Sequence, residues 1–98
     1  MSRAWPTPKD PDERLDYTLD WRRELEKHND NIFESYWDFE GDNDGELVIE
    51  SNGVAGYKTY VWLTGGTHRA RYTLRNRLYT TDGRIYERTV SLTIQDGK

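Results

Sequence analysis

Arg69, Arg71, Arg75 and Arg77 occupy odd positions of one stretch, while Ala70, Tyr72, Leu74 and Leu78 occupy even ones. In an extended chain, alternate side chains point to opposite faces. The pattern therefore gathers four guanidinium groups on one side of a strand and leaves the other side apolar. A row of guanidinium groups binds carboxylates or phosphates in bidentate fashion. Tyr79, on the same parity, adds a ring on which a base can stack. A net charge of −4 argues against a general nucleic-acid binder. The stripe points instead to the acidic surface of a protein partner, set against the simpler reading of a solvated strand face.

Other groupings carry less chemistry. Glu40-Gly41-Asp42-Asn43-Asp44-Gly45-Glu46 places oxygen ligands at alternate residues, as the start of a calcium loop does. Its closing position falls on Ser51 rather than a glutamate, and strand patterns flank it, so it reads as an acidic turn. His28 and His68 are the two histidines, both in turn-forming sequence, and there is no cysteine. No three-ligand zinc set can be assembled without carboxylates, and no serine lies in a nucleophile elbow. The chain is expected to be no enzyme and to hold no cofactor or metal. Tyr60 and Trp62 share the parity opposite Val61 and Leu63 and offer a stacking platform for a carbohydrate or host-surface ligand. Trp5-Pro6-Thr7-Pro8 reads as a stiff polyproline-like arm, since proline fixes φ and biases its predecessor to extended geometry. Trp5 either tucks onto its own domain or anchors the arm in a neighbour; the second reading is favoured.

The elements that position these groups are short strands. Val61 to Thr64 alternates with a period of two, Gly65-Gly66-Thr67 interrupts it, and a long strand follows from Arg69 to Thr80. Tyr72, just after that corner, stands where immunoglobulin-type sandwiches place a tyrosine whose hydroxyl bonds back to the corner backbone; the plainer alternative is a core aromatic. Asp10-Pro11-Asp12-Glu13 is a helix-start signal. Leu15, Tyr17, Leu19 and Trp21 then alternate with polar residues, which predicts one helical turn followed by a strand from Leu15 to Leu25. A helix from Pro11 to Lys27 is the competing reading. Lys27 to Asn31 is a turn. Ile32 to Phe39 is a strand with Phe33, Ser35, Trp37 and Phe39 on one parity. Leu47 to Glu50 is a short strand, Ser51-Asn52-Gly53 a turn, and Tyr57 to Thr64 the next strand. Thr81-Asp82-Gly83-Arg84 carries a hairpin signal. Ile85 to Ile94 closes the sheet with Tyr86, Val90, Leu92 and Ile94 inward. Arg88 shares their parity and requires a carboxylate at the end of the sandwich, because an unpaired buried charge is costly.

The chain of 98 residues suits one domain. Hydrophobic residues make up 34% and charged residues 33%, so four Trp, seven Tyr and two Phe must supply much of a thin core. No disulfide is available, no apolar run reaches membrane-spanning length, and no leader peptide is visible at the N-terminus. A soluble protein of a reducing cytoplasm is expected. Charge is uneven: His28 to Glu50 holds eight Asp/Glu and no Lys or Arg, while Arg69 to Arg88 holds six Arg against Asp82 and Glu87. Such poles suit head-to-tail contacts with copies of the chain or with a ring of partners. The expected architecture is all-β: an extended arm over residues 1–10 and a single immunoglobulin-like β-sandwich of about seven short antiparallel strands over residues 11–98.

The run Trp5-Pro6, Lys9-Asp10-Pro11-Asp12-Glu13, Leu15-Asp16-Tyr17 and Asp20-Trp21 resembles the opening of small tailed-phage proteins of the fiber-tail adaptor family. Ile32, Trp37, Val61-Trp62-Leu63-Thr64-Gly65-Gly66-Thr67, Tyr72, Asn76, Thr80-Thr81 and Gly83-Arg84 continue the likeness. It departs at Gly41 to Gly45, which is longer and more acidic, and at His68-Arg69-Ala70-Arg71, which replaces a more neutral stretch; both bear on partner contacts. The resemblance implies a virion structural protein in several copies between the tail or its connector and the fibres. Its partners would be other virion proteins and neighbouring copies of itself, with no nucleic acid and no membrane.

Overall fold

Strand alternation decides which side chains meet. The computed structural model describes residues 3–41 and 43–95. In chain order its elements are β1 (Arg3–Ala4), β2 (Leu15–Asp20), α1 (Arg22–Glu26), β3 (Ile32–Phe39), β4 (Leu47–Ala55), β5 (Lys58–Gly65), β6 (Arg71–Thr80) and β7 (Ile85–Thr93). They form two sheets, ordered β1-β7-β6-β3 and β2-β5-β4. All pairings are antiparallel except β1 with β7. The protein is all-β apart from one short helix. Tyr17, Leu19, Val61 and Leu63 from the smaller sheet meet Tyr72, Leu74, Leu78, Val90 and Leu92 from the larger in one core. Each such leucine or valine removed from water contributes about 1.5–3 kcal/mol.

Three expectations are corrected. The strand from Leu15 ends at Asp20, not Leu25, and α1 follows. Trp21 and Leu25 are both buried four residues apart, and the Leu25 N–H donates to the Trp21 carbonyl at 3.0 Å. A single helical turn buries both apolar side chains on one side, where a continued strand would put that Leu25 side chain beyond the sheet. No helix spans Pro11 to Lys27. Ser51-Asn52-Gly53 is no turn: β4 runs through it, with a register shift between Ile49 and Ser51. Gly53 is needed for close approach, because a Cβ there would collide with the Tyr60 hydroxyl. The reversal falls at Gly56. Phe33 does not share the face of Ser35, Trp37 and Phe39; a register shift between Ile32 and Glu34 turns it outward, 67% exposed.

The N-terminal segment is extended, but it lies along its own sheet. β1 pairs with β7, the Trp5 N–H donates to the Ser91 carbonyl at 3.0 Å, and Lys9 bridges to Ile94. The Trp5 indole N–H donates to the Thr18 carbonyl at 2.8 Å, and its ring lies 4.8 Å from Tyr17 and 5.9 Å from Trp37. Trp5 therefore tucks onto its own domain, contrary to the favoured reading: stacking on two rings saves an apolar indole from water. The expected helix start survives as one turn, in which the Glu13 N–H donates to the Asp10 carbonyl and the Asp10 N–H to the Glu13 carboxylate.

Candidate functional site

Parity on β6 sends Arg71, Thr73, Arg75, Arg77 and Tyr79 to the outer face of the four-stranded sheet. Three of the four predicted arginines are thus brought together. Arg69 is not among them: it precedes β6 in the turn, at φ 70°. The arginines on β6 already have partners. Arg75 makes two bonds to Asp38 of β3, at 3.0 and 2.6 Å, which raise its pKa further. Arg77 pairs with Glu87 of β7 at 3.4 Å, and Arg71 donates to the Ser91 hydroxyl at 3.1 Å. Cross-strand register sets these pairs, since Asp38 lies opposite Arg75 and Glu87 opposite Arg77. The same face carries aromatic area. Tyr36 and Tyr79 meet edge to face at 5.7 Å, and the Arg77 guanidinium lies 5.9 Å from the Tyr79 ring.

The Tyr60–Trp62 platform is half-buried. The Arg14 guanidinium sits 4.3 Å above the Trp62 ring and is itself paired with Glu50, while Tyr60 lies across Gly53. Pro6 and Pro8 are exposed beside half-buried Trp5.

The acidic turn serves the corner. The Tyr72 hydroxyl accepts the Thr67 N–H at 3.0 Å and donates to Asp44 at 2.8 Å. Asp44 also accepts the Thr67 hydroxyl at 2.6 Å and the Glu46 N–H at 3.0 Å. The Thr67 hydroxyl, the Glu46 N–H and the Tyr72 hydroxyl hold the Asp44 carboxyl below its ordinary range. Gly65, at φ 77°, passes so close to the Glu46 carbonyl that a Cβ would collide with it. Asp42 lies outside the described residues, among which no cluster of three metal-ligating side chains occurs.

Several buried polar groups have structural roles that the sequence alone did not show. Asn76 accepts the Trp21 indole N–H at 3.0 Å and the Thr59 hydroxyl at 2.7 Å, and donates to the Ser35 hydroxyl and the Tyr36 carbonyl. Its position among the inward residues of β6 was the available signal. Lys9 is fully buried, its amino group donating to the carbonyls of Asp10 at 2.9 Å and Gly65 at 2.6 Å, and burial lowers its pKa. Asp30 fastens the β6–β7 turn. It accepts the Thr81 hydroxyl at 3.0 Å, the Asp82 N–H at 3.2 Å and the Arg84 guanidinium at 3.0 Å. Arg88 meets its expected carboxylate in Glu24 and lies 4.1 Å above the Trp21 ring.

Residues 9–93 match the model of the family described as podophage GP4 fiber-tail adaptor protein gp77. The chain belongs to that fiber-tail adaptor family. No protein with a curated description matches it. In this adaptor-family chain the matched span opens on buried Lys9 and closes at the end of β7, so it takes in every strand but β1, the Tyr72 corner and the paired arginine face. Trp5, Pro6 and Pro8 lie before it. No helix among the described residues is long and apolar enough to cross a membrane.

Proposed function

We propose that the chain is a non-enzymatic virion protein, a small multi-copy adaptor joining the tail or its connector to the tail fibres. The family match over residues 9–93 carries this reading. The protein is made in the host cytoplasm and resides in the virion tail, with tail, connector or fibre subunits and neighbouring copies as partners. Its domain is an immunoglobulin-like β-sandwich; the Tyr72 hydroxyl bonded to the backbone of its own corner supports that assignment.

The partner contacts assigned to it are the β6 arginines Arg71, Arg75 and Arg77, with Arg69 in the turn before them, the Trp5–Pro8 segment and the Tyr60–Trp62 strip. Arg75 and Arg77 are oriented by their own carboxylates. What they present to a neighbour is a fixed rim of paired charge, which favours specificity over raw attraction. Mass spectrometry of purified particles, followed by cryo-microscopy of the tail, tests the role. The chain must appear in several copies at the base of the fibres; particles assembled with fibres in its absence would refute the adaptor.

A further inference from the structure

β3 ends the four-stranded sheet and pairs only on its β6 side. A terminal strand presents backbone N–H and C=O groups that a further strand can pair. A bulge sends two successive side chains toward one face, so Phe33 joins Glu34 on the outside of the sheet. Tyr36 follows on the same face and rests against Tyr79, which lies opposite Ile85. Tyr36, Tyr79 and Ile85 thus run across the outer face from β3 to β7, with exposed Phe33 near the start of the edge strand. Three of them are among the protein's exposed large apolar residues, at 67%, 53% and 57% for Phe33, Tyr36 and Ile85.

Charge selects the occupant. Asp38 and Glu87 are taken by Arg75 and Arg77, while Glu34 accepts the Tyr36 hydroxyl but has no cationic partner among the described residues. β3 carries no basic residue. A second β3 strand laid on this edge brings no cation to Glu34, since β3 carries none and Asp38 is already paired with Arg75. The edge therefore suits a strand that carries its own basic residue.

We propose that β3 accepts, as an added strand, an extended segment of a different virion protein. That segment sets apolar side chains on Phe33 and Tyr36 and a lysine or arginine opposite Glu34. The inference rests on the adaptor reading and names the surface and the kind of partner.

The test uses particles lacking the chain, reconstituted with purified full-length protein carrying a photo-crosslinking phenylalanine analogue at Phe33 or Tyr36, with Val48 and Val54 of β4 as control sites. Crosslinks from both β3 positions should fall on one segment of another virion protein that contains a lysine or arginine. Glu34→Lys should cut incorporation about tenfold and Glu34→Gln less, both melting as the wild type does. If the wild type incorporates but the β3 crosslinks fall on a second copy or nowhere, the proposal is overturned and the adaptor reading stands. Wild-type incorporation of Glu34→Lys has the same consequence. If the wild type does not incorporate at all, the adaptor reading fails and this inference with it.

Discussion

The hydroxyl of Tyr72 accepts the backbone N–H of Thr67, five residues earlier, at 3.0 Å. It also hands its own proton to Asp44 at 2.8 Å. One phenol thereby joins the β5–β6 corner to the β3–β4 loop. Tyr72→Phe strands the Thr67 N–H and removes a donor from Asp44, so it should cost about 1–3 kcal/mol. Tyr72→Ala should cost ~3 kcal/mol or more, through the lost aromatic volume. Urea denaturation measures both; a neutral Phe variant would show that the hydroxyl does nothing for the corner.

The corner was legible because two cues converge there: the break at Gly65-Gly66-Thr67 and the alternation that resumes with an aromatic on the inward parity. β3 and the Asp82-Gly83 hairpin were legible for the same reason. Other features turn on relations between distant residues. α1 forms because Trp21 finds Thr59 and Asn76 in the core, which local alternation does not reveal. Gly53 looked like a turn because its true reason, the ring of Tyr60 on the next strand, is invisible until β4 and β5 are in register. The arginine stripe was visible as a parity, but its carboxylates were not, since Asp38 and Glu87 become neighbours of β6 only through sheet order.

Asp30 should dominate the acid limb of stability. Burial alone pushes its carboxyl up, but hydrogen bonds from Thr80, the Asn31 N–H, Arg84 and Thr81 outweigh this and hold it well below the usual range. A carboxylate with a lowered folded pKa stabilises the fold above its unfolded value, about 4. That contribution is lost as pH falls from there through the folded value. Melting temperature should fall as pH drops below about 4. Asp30→Asn should melt lower than wild type at pH 7 and decline less steeply in acid. Parallel acid limbs for the two proteins would remove Asp30 from the account.

Reversing the arginine face should separate stability from assembly. Arg75→Glu sets a carboxylate against Asp38, with Glu40 and Glu87 nearby, whereas Arg71→Glu gives up one bond to a hydroxyl. Exposed pairs contribute little. Arg75→Glu should therefore lower the melting temperature by less than Tyr72→Phe does, and Arg71→Glu should leave it within error. The double variant should nevertheless fail to enter particles if this face meets a partner. Wild-type incorporation would mark the stripe as a solvated face.

Removing residues 1–8 should weaken the domain itself. The sequence alone suggested an arm anchored in a neighbour. Instead, the segment pairs with β7, stacks Trp5 on Tyr17 and Trp37, and gives the Thr7 carbonyl to the Tyr17 hydroxyl at 3.0 Å. Trp5→Ala should cost about 2–3 kcal/mol, below the figure for a fully buried tryptophan because the residue keeps some exposure. The truncation should cost more, since the backbone bonds to Ser91 also go. A second readout is independent of melting. Burial, with a further push from Glu13, raises the Tyr17 phenol to about 12. Uncovering it should return one tyrosine toward the ordinary value near 10, visible as an added phenolate step in an ultraviolet titration. A truncated chain that melts and titrates as the full chain does would show that the segment leaves its own sheet in solution, and would restore the free-arm reading.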